Sequence, residues 1–206
     1  MVITEISVQK KNKKRCNVYV DGVFTCALDN FTVLKNGLKA GREITTEELE
    51  ELSFESEKDK ALSYAFDYIS KYFRTEKQLK DKLYEKGYMR PVVEYVLGKV
   101  KEYGYVSDET YAKAYIESGS KKKGMKLLKY ELKGKGVSEE ILESFEADDE
   151  SEEKACFAFA EKFFQKNELS RENKRKLYQR LYSRGFSCDT ISAVLDKFSE
   201  DSDEEF

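Results

Sequence analysis

Three windows of nineteen residues, starting at Leu79, Leu128 and Leu177, repeat one pattern 49 residues apart. An internal period of this size is the signature of stacked repeat units. The first column is Leu79, Leu128 and Leu177, and four residues on come Leu83, Leu132 and Leu181. A Leu pair at that spacing lies on one face of a helix. Gly87, Gly136 and Gly185 follow in register, each after a base (Lys86, Lys135, Arg184) and before an apolar residue (Tyr88, Val137, Phe186). Glycine there suits a left-handed helix C-cap, the base complements the helix dipole, and the apolar residue closes back onto the helix. Ser138 and Ser187 can cap the next helix, and Pro91 is compatible with its first turn. The pairs Val93/Val96, Leu142/Phe145 and Ile191/Val194 give that helix its apolar face.

One further helix precedes each window. Ala61, Leu62, Ala65, Phe66, Ile69 and Phe73 form its stripe in the first repeat. Tyr111, Ala112, Ala114 and Tyr115 do so in the second, after Ser107 or Asp108 as cap, and Ala155, Cys156, Phe159 and Phe163 in the third. Thr75-x-x-Gln78 is a capping box for the middle helix of repeat one, whereas Ser170 opens the polar turn of repeat three three residues earlier. One proline in 206 residues agrees with long uninterrupted helices. The expected fold is mainly α: three tandem three-helix-bundle repeats forming an elongated, curved rod, since units this small share apolar area with their neighbours. The expected segments are 57–105, 106–150 and 151–199, followed by an acidic tail over 200–206.

Residues 1–56 read differently. Ile6 and Val8, then Val18 and Val20, alternate with polar neighbours, and Asp21-Gly22 is a tight-turn signal before Val23 and Phe24. Between these runs Lys10 to Arg15 carries five bases. The spacing predicts a small β-hairpin or sheet of two or three strands, which needs helical support. A short helix is expected over Leu28 to Leu34, ending near Asn36-Gly37, and another after Thr45 or Thr46 through Leu49 and Leu52.

The absence of histidine removes His-based acid–base chemistry, Ser-His-Asp and Cys-His triads and mixed Cys/His zinc sites. Cys16, Cys26, Cys156 and Cys188 show no CxxC spacing and read as free thiols of a reducing compartment. There is no Gly-rich phosphate loop, no shielded pair of carboxylates, no signal-peptide pattern and no apolar run of membrane-spanning length. These features point to a cytoplasmic, non-enzymatic interaction protein without cofactor, metal or membrane contact.

Net charge is only −3, but it is distributed in blocks. Lys121 to Lys135 holds seven lysines against Glu131 alone, and Glu139 to Glu153 holds nine acids and no base. Such blocks suit a charged partner, although each singly also reads as a solvated helix face. One reading of the residues is therefore a helical-repeat protein binding nucleic acid directly through phosphates, with steep salt dependence. Against it stand the net negative charge and the acid block beside the lysines.

Four stretches together resemble the RecX family of bacterial recombination regulators: Leu79 to Tyr88 (LKDKLYEKGY), Gly104 to Tyr115 (GYVSDETYAKAY), Gly124 to Val137 (GMKLLKYELKGKGV) and Lys176 to Phe186 (KLYQRLYSRGF). The Val18-Tyr19-Val20-Asp21-Gly22 turn is also similar to members with a longer leader. The resemblance implies a cytoplasmic, monomeric modulator of the RecA recombinase, most often an inhibitor, whose tandem repeats lie in the groove of the RecA–DNA filament. It implies single- or double-stranded DNA as a further partner for some members. On that model the partner-binding face comprises Lys121, Lys122, Lys123, Lys126, Lys129, Lys133 and Lys135, helped by Lys82, Lys86, Arg180 and Arg184. Tyr84, Tyr130 and Tyr182 would be aromatics at its edge, positions that equally suit packing between repeats.

Overall fold

The computed structural model describes residues 1–200, so all but the first residue of the expected acidic tail lies outside the described residues. The chain divides into two compact units, one of residues 1–73 with 79–106, the other of residues 74–78 with those from 107 onward.

The first unit opens with a three-stranded antiparallel sheet, β1 (Ile3–Val8), β2 (Arg15–Val20) and β3 (Val23–Asp29), in sequential order. Asp21 (φ 50°) and Gly22 (φ 82°) both adopt left-handed backbone, the geometry that matches a two-residue turn to the twist of its strands. Short α1 (Asn30–Lys35) follows, capped by the Asp29 carboxylate on the Thr32 amide at 2.8 Å. Leu28 and Asp29, expected in that helix, belong to β3, because pairing of Arg15 with Asp29 and Cys16 with Leu28 extends the ladder to the cap.

Helix α2 (Thr46–Ile69) is continuous through the boundary expected at residues 56 and 57. Thr45 caps it, and no Gly or Pro lies between Leu52 and Ala61 to break it. Its apolar face shifts along its length. Leu49 and Leu52 pack with Ile3, Val18 and Leu28 under the sheet, while Ala61 and Ala65 pack with α3 (Glu76–Glu85) and α4 (Arg90–Glu102) around Leu79, Leu83, Val93 and Val96. The helix ends at Ile69, and Phe73, expected in the stripe, is exposed.

The second unit contains α5 (Asp108–Gly119), α6 (Met125–Gly134) and short α7 (Glu139–Glu143), then α8 (Asp149–Phe164), α9 (Arg171–Ser183) and α10 (Cys188–Glu200). Each triplet has its own core. Ala112, Leu132, Val137 and Leu142 fill one, while Cys156, Leu177, Leu181, Phe186, Ile191 and Val194 fill the other. The fold is therefore mainly helical, with three three-helix repeats and an N-terminal sheet, as the sequence predicts. The expected caps Ser107, Ser138 and Ser187 each accept a backbone amide at the start of α5, α7 and α10, and Ser170, expected to open a polar turn, caps α9 in the same way. Among the described residues no helix is long and apolar enough to cross a membrane.

Candidate functional site

The repeated glycine turn is built the same way three times. Gly87, Gly136 and Gly185 have φ of 84°, 94° and 84°. The amide after each glycine reaches back to the second Leu of the pair: Tyr88 to Leu83 at 3.2 Å, Val137 to Leu132 at 3.1 Å, Phe186 to Leu181 at 3.3 Å. The glycine amides donate to Tyr84, Lys133 and Tyr182 at 2.8, 3.0 and 2.9 Å, which completes a Schellman cap. The base before each glycine lies over an aromatic ring of its own repeat's first helix. Lys86 is 5.3 Å from the Tyr64 ring centre, Lys135 is 5.4 Å from that of Tyr115, and the Arg184 guanidinium is 4.3 Å from that of Phe159.

Within the second unit this turn is also a joint. The Thr75 hydroxyl, at the turn that opens α3, donates to the Lys135 carbonyl at 2.7 Å. Forty-nine positions on, at the turn that opens α6, the Gly124 amide donates to the Arg184 carbonyl at 3.0 Å. The next amides find carboxylates: Glu76 on Asp108 at 2.8 Å and Met125 on Glu152 at 3.3 Å. Glu152 also accepts the Ser187 amide at 3.0 Å and so ties α6, α8 and the start of α10 together. A Cβ on Gly136 would stand 2.4 Å from the Lys77 side chain, and one on Gly185 would stand 2.4 Å from the Leu127 backbone nitrogen. The same turn of one repeat thus abuts the same glycine of the next. In α9 the helix begins at Arg171, so Asn173, the position equivalent to Thr75 and Gly124, lies inside the helix rather than at its cap.

The candidate partner-binding residues fall into two sets. Lys82 and Tyr84 lie in the last turn of α3 and Lys86 directly follows its end, in the first unit. The others lie in the second unit, on the α5–α6 turn, on α6 and at the C-terminal end of α9. The bond from Gly124 to Arg184 places that end of α9 beside the start of α6, where Lys121 to Lys123 and Lys126 cluster. Neither the Tyr130 nor the Tyr182 ring is part of a core among the described residues. Tyr130 is 75 % and Tyr182 57 % exposed, with Tyr84 at 42 %.

Their charges are not equally available. Lys123 grips both Glu131 oxygens at 2.6 and 2.7 Å, Lys133 meets Glu139 at 2.5 Å, and Lys82 meets Glu85 at 2.7 Å. Lys86, Lys135, Arg180 and Arg184 cover aromatic rings. Lys121, Lys122, Lys126 and Lys129 make no ion pair among the described residues. The Lys123 hydrogen bonds hold the Glu131 carboxyl below its usual range. Burial, then the 2.8 Å bond to Glu131, pushes the Tyr115 phenol up to about 12.

The acid block from Glu139 to Glu153 resolves into local structure. Glu139 and Glu140 fill the first turn of α7, and Asp149, Glu150 and Glu152 that of α8, where the dipole favours them. Asp148 caps α8, Glu150 pairs with Lys154, and Glu153 pairs with Lys197. The residues that sequence reasoning passes over are those of the joint: Gly124, Glu152 and the bonds of Thr75 and Asp108 beyond their own helices. The signal available was the 49-residue offset from Thr75 to Gly124, which continues the repeat four residues upstream of the windows.

Comparison with known proteins covers almost the whole chain. Residues 1–45 match the family model of the regulatory protein RecX N-terminal domain. Residues 61–99, 107–144 and 150–195 match those of the first, second and third three-helix domains of RecX. The chain is 37 % identical over 199 residues to the regulatory protein RecX of Clostridium perfringens (strain SM101 / Type A), covering 94 % of each. It is 32 % identical over 211 residues to that of Bacillus subtilis (strain 168), covering 98 % of this chain and 79 % of the relative. A crystal structure of regulatory protein RecX superposes with a TM-score of 0.64 at 26 % identity, covering 95 % of this chain and 98 % of the other. RecX from Lactobacillus salivarius gives 0.63 at 25 %, covering 68 % and 96 %.

Proposed function

Because this chain belongs to the RecX family of regulatory proteins, we propose that it modulates the RecA recombinase in the cytoplasm, in the inhibitory direction, by lying as a monomer in the groove of the RecA–DNA filament. The observation that carries this reading is the joint. The same helix-opening turn meets the same glycine turn twice, 49 residues apart, so equivalent side chains recur in equivalent settings. A ligand that itself repeats suits such a chain, because linked weak contacts raise one another's effective concentration without any single strong site.

Lys121, Lys122, Lys126 and Lys129, which make no ion pair among the described residues, with the exposed Tyr130 ring beside them, are the part of the basic run best placed to meet filament phosphates or acidic patches. Lys123 and Lys135 support that face from within, since their charges are engaged by Glu131 and the Tyr115 ring, and Lys133 is held in an exposed pair with Glu139. Arg184 and Lys86 have the same supporting role over Phe159 and Tyr64.

A RecA ATPase or strand-exchange assay titrated with the protein tests the reading. Wild type should lower activity. A Lys121→Ala, Lys122→Ala, Lys126→Ala, Lys129→Ala variant should need about tenfold more protein, since each exposed charge contact contributes about 0.2–1 kcal/mol. Unchanged helicity by circular dichroism excludes misfolding. An unchanged titration removes this face from the interface.

A further inference from the structure

The connection between β1 and β2 is a built loop that presents four lysines. Asn12 shapes it, its carboxamide oxygen accepting the Lys14 amide at 3.1 Å and its carbonyl accepting the Arg15 amide at 3.0 Å. Asn30, at the start of α1, clamps it from behind: its side-chain amide donates to the Lys13 carbonyl at 2.9 Å and its backbone amide to the Lys14 carbonyl at 3.0 Å. The Gln9 side chain bonds Asn17 across the neck at 2.7 Å. Arg15, the fifth base of the run, turns inward instead, to the Ala27 carbonyl at 2.6 Å and Glu57 at 2.8 Å. Lys10, Lys11, Lys13 and Lys14 are all exposed and make no ion pair among the described residues.

Four like charges within five residues repel one another, and hydrogen bonds that hold the loop keep them together rather than letting them disperse. From these observations we infer that this loop is a phosphate-backbone contact for nucleic acid, separate from the basic run of the second unit and independent of the reading above. Gln9 to Arg15 contains no apolar or aromatic residue, whereas protein interfaces deplete lysine and anchor on aromatic side chains. A contact made by ammonium groups alone positions a backbone without reading bases. The cleft that Lys14 borders is lined by Glu48, Glu51, Glu55 and Asp59 alongside Lys35, Lys58 and Lys60, so its charges largely balance and the unbalanced positive charge is that of the loop lysines.

The test is fluorescence anisotropy of the full-length protein with fluorescein-labelled oligo(dT) of about 30 nucleotides and a duplex of equal length, from about 50 to 200 mM salt. The variant Lys10→Ala, Lys11→Ala, Lys13→Ala, Lys14→Ala should bind more than about tenfold more weakly at the lowest salt. Its slope of log affinity against log salt should be shallower by about 2–3 for the single strand. Substitution of the same four by Arg should retain wild-type binding. A matched variant with scattered lysines removed (Lys39→Ala, Lys60→Ala, Lys162→Ala, Lys166→Ala) controls for net charge and should lose little. Wild-type protein that binds neither oligonucleotide at low salt, or a loop variant no weaker than the scattered control, overturns the inference. So does a loop variant impaired only toward RecA filaments or toward phosphatidylserine vesicles, which would make the contact protein or lipid. The repeat lysines stay intact in every loop variant, so the RecA assay fails or succeeds separately.

Discussion

Replacing Gly124 by Ala asks whether the joint between the second and third repeats is as tight as the geometry says. The backbone at Gly124 has φ −74° and ψ 160°, which any L-residue adopts, so the substitution carries no conformational strain of its own. Gly185→Ala would be ambiguous, because φ there is +84° and contact and strain would both act. A Cβ on Gly124 would lie 2.1 Å from the Gly185 carbonyl oxygen and 2.4 Å from the Phe186 nitrogen. Both belong to a turn fixed by its Schellman bonds, so no flexible side chain can yield. Overpacking of this kind costs about 1–3 kcal/mol. Separation of the turn would also lose the bond to the Arg184 carbonyl, about 1 kcal/mol, and weaken the two amide bonds to Glu152, about 1.5 kcal/mol each as charge-assisted contacts. Partial relief of the clash puts the expected loss near ~3 kcal/mol. Gly98→Ala supplies the reference: Gly98 is interior to α4 with open space at its Cβ, so alanine there should stabilise by about 0.5–1 kcal/mol. Urea unfolding read by hydrogen exchange separates the two units, which need not unfold together. Amides of Met125, Leu128 and Phe186 should lose protection in Gly124→Ala while those of Val93 and Val96 do not. A Gly124→Ala protein within ~0.5 kcal/mol of wild type, with unchanged protection at Phe186, would falsify the close approach.

Thr75→Ala removes both the cap on Gln78 and the hydroxyl bond to the Lys135 carbonyl from a residue that is fully buried, so a loss of about 1–3 kcal/mol is expected in denaturant titration, against under 1 for Thr110→Ala. The Tyr115 phenol, raised to about 12, keeps its proton longer in the folded state than unfolded. Its stabilising contribution is complete below the ordinary tyrosine pKa of about 10 and is lost as pH rises through 12. A carbon-13 titration of tyrosine ring carbons should show this resonance moving last of those in the second unit, and Glu131→Gln should bring it down.

Much of this fold is legible in the sequence because its determinants are local. Leu pairs four apart, a base, a glycine and an apolar residue specify a helix and its Schellman end wherever they occur, and the three copies differ little in structure. The Asp21-Gly22 turn and the serine caps are likewise decided by a few neighbouring residues. Where expectation and structure part, a distant contact intervenes. Strand pairing with Arg15 and Cys16 draws Leu28 and Asp29 into β3, and two separate cores on one rod keep α2 helical across residues 56 and 57.

The candidate face shows the same division. Composition alone treats the seven lysines from Lys121 to Lys135 as one +6 surface, since sequence has no means of pairing Lys123 with Glu131 eight residues away or Lys133 with Glu139. Which charges are engaged depends on side chains meeting across a turn: among the described residues Lys121, Lys122, Lys126 and Lys129 make no ion pair, while the others meet carboxylates and rings. The sequence by itself determined that the chain is a threefold repeat of helical triplets. Only tertiary packing decided that Gly124 and Glu152 are joint residues, because a glycine at an ordinary φ and a glutamate in a first helical turn carry no local mark of the chain segment that will press against them.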